Sequence, residues 1–451
     1  MRMIVIGGVA AGSKAAARAR RVNPQIDIVL YQDEAEVSYS ACGQPYYLSG
    51  VVSCRDSLIV RHPANFAKEG INVQVHHRVT KIDAAARTLT VHDITNDRVF
   101  EDRFDSLVIA TGARSLRPSI PGIGYEGVVT LRSLTELDGF KETLQRLRTK
   151  HAVVVGSGYI GLELLESLSR LGLTVTLLGR NPQVFSRLDP DMSQTVHEYL
   201  VDQNVNVMAG DGIAELKGKN ERVTEVETSS GITLQADLVV LALGAQPNAE
   251  LAGQAGIALG NTGAIAVDER MQTNIPGIYA AGDCAESRHR LTEQAVWQPL
   301  GDIANLHGRV AGENAAGGDA RFPGVFGTAI FKTFELNVGM TGLTETAARA
   351  AGFDVISSVM FARDKARYYP GSQELKVKLV ANANDGRLLG AQVVGTGAAD
   401  KSVDIVATAL LGGLSCFDLE NADLAYAPPF SPVLSPIIVA AGVLCKQVKQ
   451  S

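Results

Sequence analysis

The sequence predicts an α/β fold in which two similar glycine-rich βαβ units are joined to a C-terminal α+β domain. Three observations support this prediction. An apolar strand, a glycine turn and a helical run occur in that order twice, about one domain length apart. Apolar strands that end in tight turns follow each copy. The last third of the chain carries four strand patterns and then two apolar helical runs, Ala398–Leu411 and Leu434–Val448.

The first unit runs from the apolar strand Met3–Ile6 through a glycine turn into a helical run, Ser13–Val22. In such a unit the first glycine makes the tight turn, and the last lets the helix pack closely on the strand. The N-terminus of the helix then faces a phosphate. Val9 stands where a middle glycine is usual, so this copy alone also fits an ordinary strand–turn–helix. The predicted nucleotide contacts are Gly7, Gly8, Ala10 and Gly12.

The second unit has the complete G-x-G-x-x-G pattern. It begins with the strand at His151–Val155 and continues into a helical run, Leu162–Leu171, and a further strand, Thr174–Leu178. A second copy at this distance favours nucleotide binding for both units. The predicted contacts are Gly156, Gly158 and Gly161.

Three later segments also end in glycine turns. Phe104–Gly112 and Asp237–Asn248 share one form, and Thr273–Asp283 ends in Gly-Asp. Thr111, Gly112, Gly244, Gly282 and Asp283, at the ends of these strands, are candidate cofactor contacts.

Composition narrows the function further. The 451 residues carry a net charge of −6, which gives no electrostatic case for nucleic-acid binding. The apolar run Val433–Cys445 is interrupted by Ser435 and Pro436 and is too short for a bilayer, which needs about 20 residues. Five scattered cysteines do not suggest a disulfide framework. We expect a cytoplasmic protein with no membrane contact and no metal site.

These motifs together resemble the pyridine nucleotide–disulfide oxidoreductase superfamily across the whole chain. The resemblance implies two Rossmann-like dinucleotide-binding domains and a C-terminal α+β dimerisation domain, hence a homodimer. It places FAD in the first unit, with Asp283 on its ribityl chain, and a nicotinamide nucleotide in the second. The implied domains are residues 1–112 with 246–321 for FAD, 113–245 for the nicotinamide nucleotide, and 322–451 for the interface.

Two positions differ from the usual pattern of acids that bind ribose. Gln32, followed by Asp33, stands where an acid normally contacts the adenosine ribose of FAD. In the second unit the acid is replaced by Gly179, followed by Arg180, and Arg187 lies nearby. Loss of the acid together with a guanidinium suits a 2′-phosphate, so we predict NADPH in preference to NADH. The alternative is that Arg180 is simply a solvated loop residue.

A single cysteine, Cys42, occupies the segment Ser38–Tyr47, where glutathione-type reductases carry a pair. This resembles the single-cysteine branch, which includes coenzyme A-disulfide reductases, NADH oxidases and peroxidases, and polysulfide reductases. We expect Cys42 at the opening of a helix, where the dipole favours its thiolate. The other four cysteines are read as structural. Ala10 stands where the oxidases and peroxidases usually carry a histidine, which argues against them.

The segments Arg367–Gly371 and Ala425–Pro432 resemble the paired tyrosine segments of coenzyme A-disulfide reductases. In that family both tyrosines reach the partner's cysteine. The resemblance therefore implies catalytic roles for Tyr426 and for Tyr368, preferred over Tyr369, with the phenol assisting a leaving thiolate. Cross-strand packing is the alternative for the Tyr-Tyr pair.

The substrate expected from this resemblance is a low-molecular-weight disulfide, namely coenzyme A disulfide or a coenzyme A persulfide. NADPH would reduce FAD, which would then release Cys42 from a mixed disulfide with the substrate. Three alternatives stay open: a polysulfide or sulfur reductase, a water-forming NADH oxidase, and a non-catalytic nucleotide-sensing electron-transfer flavoprotein. The residues predicted to bind the substrate are Arg18, Arg21, Ser38, Arg61 and Arg367.

Overall fold

The computed structural model describes residues 1–448. Its strands are β1 (Arg2–Ile6), β2 (Asp27–Tyr31), β3 (Ile71–Gln74), β4 (His77–Asp83), β5 (Thr88–Asp93), β6 (Arg98–Arg103), β7 (Ser106–Ile109), β8 (Ala113–Ser115), β9 (Val128–Val129), β10 (His151–Val155), β11 (Thr174–Gly179), β12 (Asn206–Ala209), β13 (Ile213–Lys219), β14 (Arg222–Thr228), β15 (Thr233–Gln235), β16 (Leu238–Leu241), β17 (Ala245–Pro247), β18 (Ile278–Ala280), β19 (Ser287–Arg288), β20 (Ala295–Val296), β21 (Ala329–Thr333), β22 (Leu336–Gly342), β23 (Val355–Arg363), β24 (Glu374–Asn382) and β25 (Leu388–Gly395).

The helices are α1 (Ala11–Val22), α2 (Gln44–Leu48), α3 (Pro63–Ala67), α4 (Leu134–Leu147), α5 (Tyr159–Arg170), α6 (Pro190–Asp202), α7 (Glu250–Gln254), α8 (Gly301–Ala315), α9 (Glu345–Ala350), α10 (Ala399–Gly412), α11 (Cys416–Glu420) and α12 (Pro436–Cys445). Two 3₁₀ turns, Ala41–Gly43 and Arg55–Leu58, flank the cysteine segment. None of the helices in the described part of the chain is long and apolar enough to cross a bilayer.

The chain folds into two compact units. The first comprises residues 1–116, 130–142 and 244–325, and the second comprises 117–129, 143–243 and 326–451. The three-domain division drawn from the sequence therefore stays a prediction, because the structure groups the second nucleotide unit with the C-terminal third.

The first unit is built on a five-stranded parallel sheet with the order β18-β7-β1-β2-β3. β7, which is buried throughout, and β1, which is buried from Met3 to Ile6, lie at its centre, and α1 packs against α8. A three-stranded antiparallel sheet, β4-β5-β6, is inserted after β3. Only β18 of the predicted segment Thr273–Asp283 is a strand, because Ile278 bonds back to Ile275 in a turn across Pro276 and Gly277.

The second unit repeats the parallel sheet, in the order β12-β11-β10-β16-β9, and adds an antiparallel sheet, β21-β22-β25-β24-β23. The four strands predicted for the C-terminal third are present, but β22 was missed. Its glycines, Gly339 and Gly342, weaken the strand pattern, and a Cβ on Gly342 would lie 2.1 Å from the Leu389 carbonyl oxygen. The mixed α/β class predicted from the sequence is confirmed.

The final helix, α12, is shorter than the predicted Leu434–Val448. Ser435 is its N-cap and Pro436 its first residue. Proline is favoured there because its missing N–H has no acceptor within the helix, and this sets the start at Pro436.

Candidate active site and nucleotide-binding turns

The first glycine turn joins β1 to α1 and leaves no room for side chains at its ends. Gly7 has φ +94°, and a Cβ on it would lie 2.2 Å from the Ala110 carbonyl oxygen. A Cβ on Gly12 would lie 1.8 Å from the Gly7 carbonyl oxygen. The turn therefore brings bare backbone and the N-terminus of α1 to one edge of the sheet, a geometry compatible with a dinucleotide pyrophosphate.

Gln32 and Asp33 differ in burial and in their main contacts. The Gln32 side chain is 5% exposed, and its Oε1 accepts a 2.7 Å hydrogen bond from the Gly8 amide. Asp33 is exposed, and one of its oxygens lies 3.5 Å from Nε of Arg78. Gln32 is thus the residue that joins the end of β2 to the glycine turn. Its Nε2 donates to the Asp33 carboxylate at 3.5 Å, and the same amide nitrogen carries a second hydrogen for a ribose hydroxyl.

The turns after β7 and β18 carry the remaining polar groups predicted for the cofactor. Thr111 Oγ1 donates to the Asn248 carbonyl at 2.6 Å, and a Cβ on Gly112 would meet no atom within 4 Å. Gly282 has φ +79° and precedes Asp283, whose backbone carbonyl accepts a 2.7 Å hydrogen bond from the Trp297 indole. Asp283 is therefore held on a braced turn.

Arg132 is a residue that the sequence reading missed. Its guanidinium forms an ion pair with the Asp283 carboxylate, and its Nε donates to the Ala113 carbonyl at 3.2 Å. The partners are 151 residues apart, so local sequence carries no signal for the pairing. The carboxylate oxygens of Asp283 can also accept hydrogen bonds from ribityl hydroxyls.

Cys42 is exposed and lies in the 3₁₀ turn Ala41–Gly43, which leads directly into α2, so it stands at the opening of a short helical segment. Because α2 has only five residues, its dipole is small. The longer helix near the sulfur is α8. A Cβ on its first residue, Gly301, would lie 4.0 Å from Cys42 Sγ. The N-terminus of α8 thus supplies the partial positive charge that favours a nearby anion.

The cysteine segment is tied to Arg132 through Gln44. This side chain is 1% exposed, and its Nε2 donates to the Arg132 carbonyl at 3.1 Å. A second tie comes from Ser40, whose amide bonds to the Leu58 carbonyl at 2.8 Å. The backbone around Cys42 is consequently fixed on both sides.

The two tyrosine segments lie side by side in the second unit. The Ala366 amide donates to the Pro428 carbonyl at 3.3 Å. Tyr368 is 77% exposed and Tyr426 48% exposed, whereas Tyr369 is half-buried. Phe430, in the same pair of segments, is 71% exposed. Both tyrosines preferred from the sequence therefore present their side chains at the surface.

The second glycine turn repeats the first. Gly156 has φ +114°, and a Cβ on it would lie 2.2 Å from the Ala242 carbonyl oxygen. A Cβ on Gly161 would lie 2.0 Å from the Gly156 carbonyl oxygen, whereas one on Gly158 would meet no atom within 4 Å. Gly244 comes three residues after the end of β16, just as Gly112 comes three residues after the end of β7.

Arg180 and Arg187 have different environments at the end of β11. The aliphatic stem of Arg180 lies beside Gly212, and the residue is exposed. The Arg187 guanidinium lies 5.5 Å from the centroid of the Tyr159 ring and hydrogen-bonds the phenol. A Cβ on Gly179 would lie 3.5 Å from Ser157 Oγ, an ordinary contact, so a side chain fits there. Arg180 is the cation whose head faces solvent.

The carboxyl group of Glu163, in the turn of α5 that follows Gly161, has a shifted pKa. Burial, reinforced by repulsion from Glu166, raises the pKa of Glu163 to about 7. Glu166 itself is paired with Arg170 at 2.8 Å. The carboxyl of Glu163 therefore exchanges its proton near neutral pH, a property the glycine motif alone did not indicate.

The cations predicted for the substrate are not alike. Arg18 is paired with Glu313 at 2.5 Å, and Arg61 with Glu69 at 2.6 Å while it stacks over Phe66. Arg21 and Arg367 are exposed.

Ser38 has φ +50°, and its backbone bonds to Gly8 and Val60, so it shapes the cysteine segment. Within residues 1–448, no group of three or more acidic, histidine or cysteine side chains has metal-binding geometry.

Comparisons with known proteins agree with this arrangement. Residues 1–298 match the family model described as pyridine nucleotide-disulphide oxidoreductase, and residues 328–436 match that family's dimerisation domain. An NAD(P)H coenzyme A polysulfide/persulfide reductase from Pyrococcus horikoshii is 38% identical over 445 residues, covering 98% of each chain. A coenzyme A disulfide reductase from Staphylococcus aureus is 29% identical, covering 95% of this chain and 96% of the relative.

Solved structures show the same likeness. An NAD-dependent persulfide reductase from A. fulgidus has a TM-score of 0.96 at 40% identity and covers 99% of this chain and 83% of that one. An engineered water-forming NADPH oxidase bound to NADPH has a TM-score of 0.94 at 25% identity, covering 99% of both chains. The substitutions in that engineered enzyme include an aspartate replaced by alanine, with the next residue replaced by arginine.

Proposed function

Because this chain belongs to the pyridine nucleotide-disulphide oxidoreductase family, we propose that it uses NADPH to reduce a coenzyme A persulfide or disulfide at Cys42. The protein is a pyridine nucleotide-dependent flavoprotein disulfide reductase, as the sequence predicted. The observation that carries the finer proposal is an exposed Cys42 beside the first residue of α8. The persulfide comes first because the relatives named for it are more alike than the disulfide reductase, at 38% against 29% identity.

When bound, FAD and the pyridine nucleotide supply the pair of electrons that the reduction consumes. The chain's own part begins with Cys42, whose thiolate attacks the S–S bond of the substrate and forms a mixed disulfide while one thiol leaves. The N-terminus of α8 stabilises the thiolate before the attack and again after Cys42 is released. A single cysteine suffices because the substrate sulfur is the second member of the redox disulfide.

Tyr426 and Tyr368 assist the leaving thiolate from the partner subunit. Their exposure at the surface of the second unit supports this role, because a phenol that acts on another subunit must reach beyond its own. A phenol within hydrogen-bond distance of a leaving sulfur donates its proton or stabilises the charge. Arg21 and Arg367, both exposed, are the cations we assign to the phosphates of coenzyme A.

NADPH is preferred because Arg180 is exposed at the end of β11 and no acid stands at position 179. The engineered NADPH oxidase supports this preference, since it carries the same exchange of an acid for a small residue followed by arginine. The similarity to a persulfide reductase that is named as NAD-dependent argues against a preference for NADPH.

Replacement of Cys42 tests the proposal most directly. Cys42→Ser should lower coenzyme A persulfide and disulfide reduction at least ~10³-fold, because the nucleophile is removed, while FAD stays bound. The matched control is Cys54→Ser, since Cys54 is also exposed and lies in the same region of the first unit. Turnover retained by Cys42→Ser would contradict the proposal. Loss of turnover in both variants would point to a general effect of the serine.

The mass of the isolated polypeptide, denatured without reductant, discriminates among substrates. A coenzyme A adduct on Cys42 that NADPH removes would support the proposed substrate. Extra sulfur atoms alone would favour polysulfide reduction, and added oxygen would favour the oxidase.

A further inference from the structure

Two cysteines read from the sequence as structural meet in the C-terminal part of the fold. Cys416 is the first residue of α11, and Cys445 is the last residue of α12. The two helices pack against each other, and the two side chains are hydrogen-bonded. Nothing in their sequence spacing indicates this pairing.

Two glycines and a carboxylate lie beside the pair. A Cβ on Gly386 would lie 2.9 Å from Cys416 Sγ, and the Gly386 carbonyl accepts a 2.8 Å hydrogen bond from the Cys416 amide. The Glu420 carboxylate accepts a hydrogen bond from the Cys445 thiol. A Cβ on Gly442 would lie 2.8 Å from Glu420 Oε1. The glycines therefore leave room for the sulfur of Cys416 and for the carboxylate that contacts Cys445.

We propose that Cys416 and Cys445 form a second redox site, an oxidisable dithiol that a small organic disulfide converts to an intrachain disulfide between α11 and α12. The pair differs in access, because Cys416 is buried whereas Cys445 is half-buried. Cys445 is therefore the sulfur that meets the oxidant, and Cys416 is the resolving sulfur. The loop that the bond closes contains Tyr426.

The electrons balance in two exchange steps. The Cys445 thiol loses its proton to base in the solvent, and the thiolate attacks the small disulfide, which forms a mixed disulfide on Cys445 and releases one small thiol. Cys416 then attacks the sulfur of Cys445, which releases the second small thiol and leaves the intrachain bond. Two protein thiols have lost two electrons, and one disulfide has gained them.

The proton equilibrium sets the speed of this oxidation. Burial raises the pKa of both thiols, and the hydrogen bonds from Cys445 to Cys416 and Glu420 raise that of Cys445 further. Only the thiolate attacks a disulfide. The pair therefore stays reduced at neutral pH on the time scale of a turnover and oxidises faster as the pH rises.

The test uses the full-length holoenzyme carrying Cys42→Ser, without NADPH, so that Cys42 contributes nothing to the result. After incubation with oxidised glutathione, accessible thiols are alkylated in denaturant and the peptides are weighed. We expect peptides containing Cys416 and Cys445 joined by a disulfide, two hydrogens lighter than the sum of the two, and formed faster at pH 9 than at pH 7.

Two further variants test which cysteines form the cross-link. Adding Cys416→Ser should stop the reaction at a glutathione adduct on Cys445, whereas adding Cys54→Ser should leave the cross-link unchanged. The proposal is overturned if Cys416 and Cys445 are both alkylated after the longest incubation at pH 9. A stable glutathione adduct on Cys445 with Cys416 intact, or a cross-link between two chains, would overturn it equally. None of these outcomes depends on the reductase activity.

Discussion

At the scale of single residues, the environment decides what each polar side chain does. Gln32 and Asp33 are neighbours, yet one is buried against the Gly8 amide and the other faces solvent. Arg180 and Arg187 lie on the same connection, yet Arg187 is engaged with Tyr159. In both pairs the sequence left two candidates for one nucleotide contact, and burial and side-chain contacts distinguish them.

The preference for NADPH is tested at Gly179 and Arg180. Gly179→Asp with Arg180→Ala should lower kcat/KM for NADPH by about 10²-fold and raise it for NADH, because a phosphate loses charge-assisted hydrogen bonds worth about 1.5–3 kcal/mol and a ribose gains an acceptor. The aspartate fits because a Cβ at position 179 makes only an ordinary contact. Steady-state kinetics with both nucleotides measure the change.

The control for this exchange is Lys219→Ala, which removes an exposed cation of the same unit. It should leave both kcat/KM values as they are. Equal kcat/KM for the two nucleotides in the unaltered enzyme would remove the basis of the preference.

At the scale of elements, α8 serves two sites at once. Its first residue lies beside Cys42, and its buried His307 reaches the turn that carries Asp283. His307 Nδ1 accepts from the Gly282 amide at 3.4 Å, and its Nε2 lies 3.1 Å from Ser287 Oγ. Phe322 packs edge-on against the ring. The helix therefore couples the placement of the cysteine to that of the Asp283 turn.

His307 predicts an acid-sensitive stability. Burial lowers the pKa of His307 to about 4, whereas an exposed histidine titrates near 6.5. Between these values the unfolded chain binds the extra proton, so the free energy of unfolding should fall as the pH falls from about 6.5 to 4, by up to ~3 kcal/mol. Denaturant unfolding at several pH values measures it.

The same pH profile of the free energy of unfolding is measured for two variants, His307→Gln and His62→Gln. The first should flatten this part of the pH profile and weaken FAD retention at neutral pH, whereas the second, at an exposed position, should change neither. An unaltered slope in His307→Gln would mean that other groups cause the acid sensitivity.

At the scale of the whole molecule, the dimerisation-domain match and the exposed tyrosines lead to a prediction about mixed dimers. If each site uses Cys42 from one subunit and Tyr426 from its partner, Cys42→Ser and Tyr426→Phe chains complement each other. Each mixed dimer then has one complete site. Purified mixed dimers should have about half the activity of the unaltered dimer, since one of their two sites is complete.

The measurement is turnover of purified mixed dimers carrying two different affinity tags. Separate preparations of the two variants, mixed without subunit exchange, are the control and should stay inactive. Mixed dimers no more active than the average of the two parents would show that each subunit uses its own residues.

Local patterns determined most of the fold. Gly7 and Gly156 specify the two turns. Each has a positive φ, and a Cβ on either would lie 2.2 Å from a backbone carbonyl oxygen, so residues with a side chain are excluded. Uninterrupted apolar runs such as Val153–Val155 specify buried parallel strands. The family and its general chemistry follow from the order of these motifs and are confirmed by the family match. The individual site residues stay predictions.

The sequence by itself thus determined the two glycine turns, the parallel sheets and the single cysteine of the first unit, since each depends on residues close together in the chain. Only the tertiary structure decided that Arg132 meets Asp283, that α8 begins beside Cys42, and that Cys416 touches Cys445. The physical reason is that these contacts join segments far apart in sequence. They arise from the packing of whole helices and sheets, which no local pattern of side chains records.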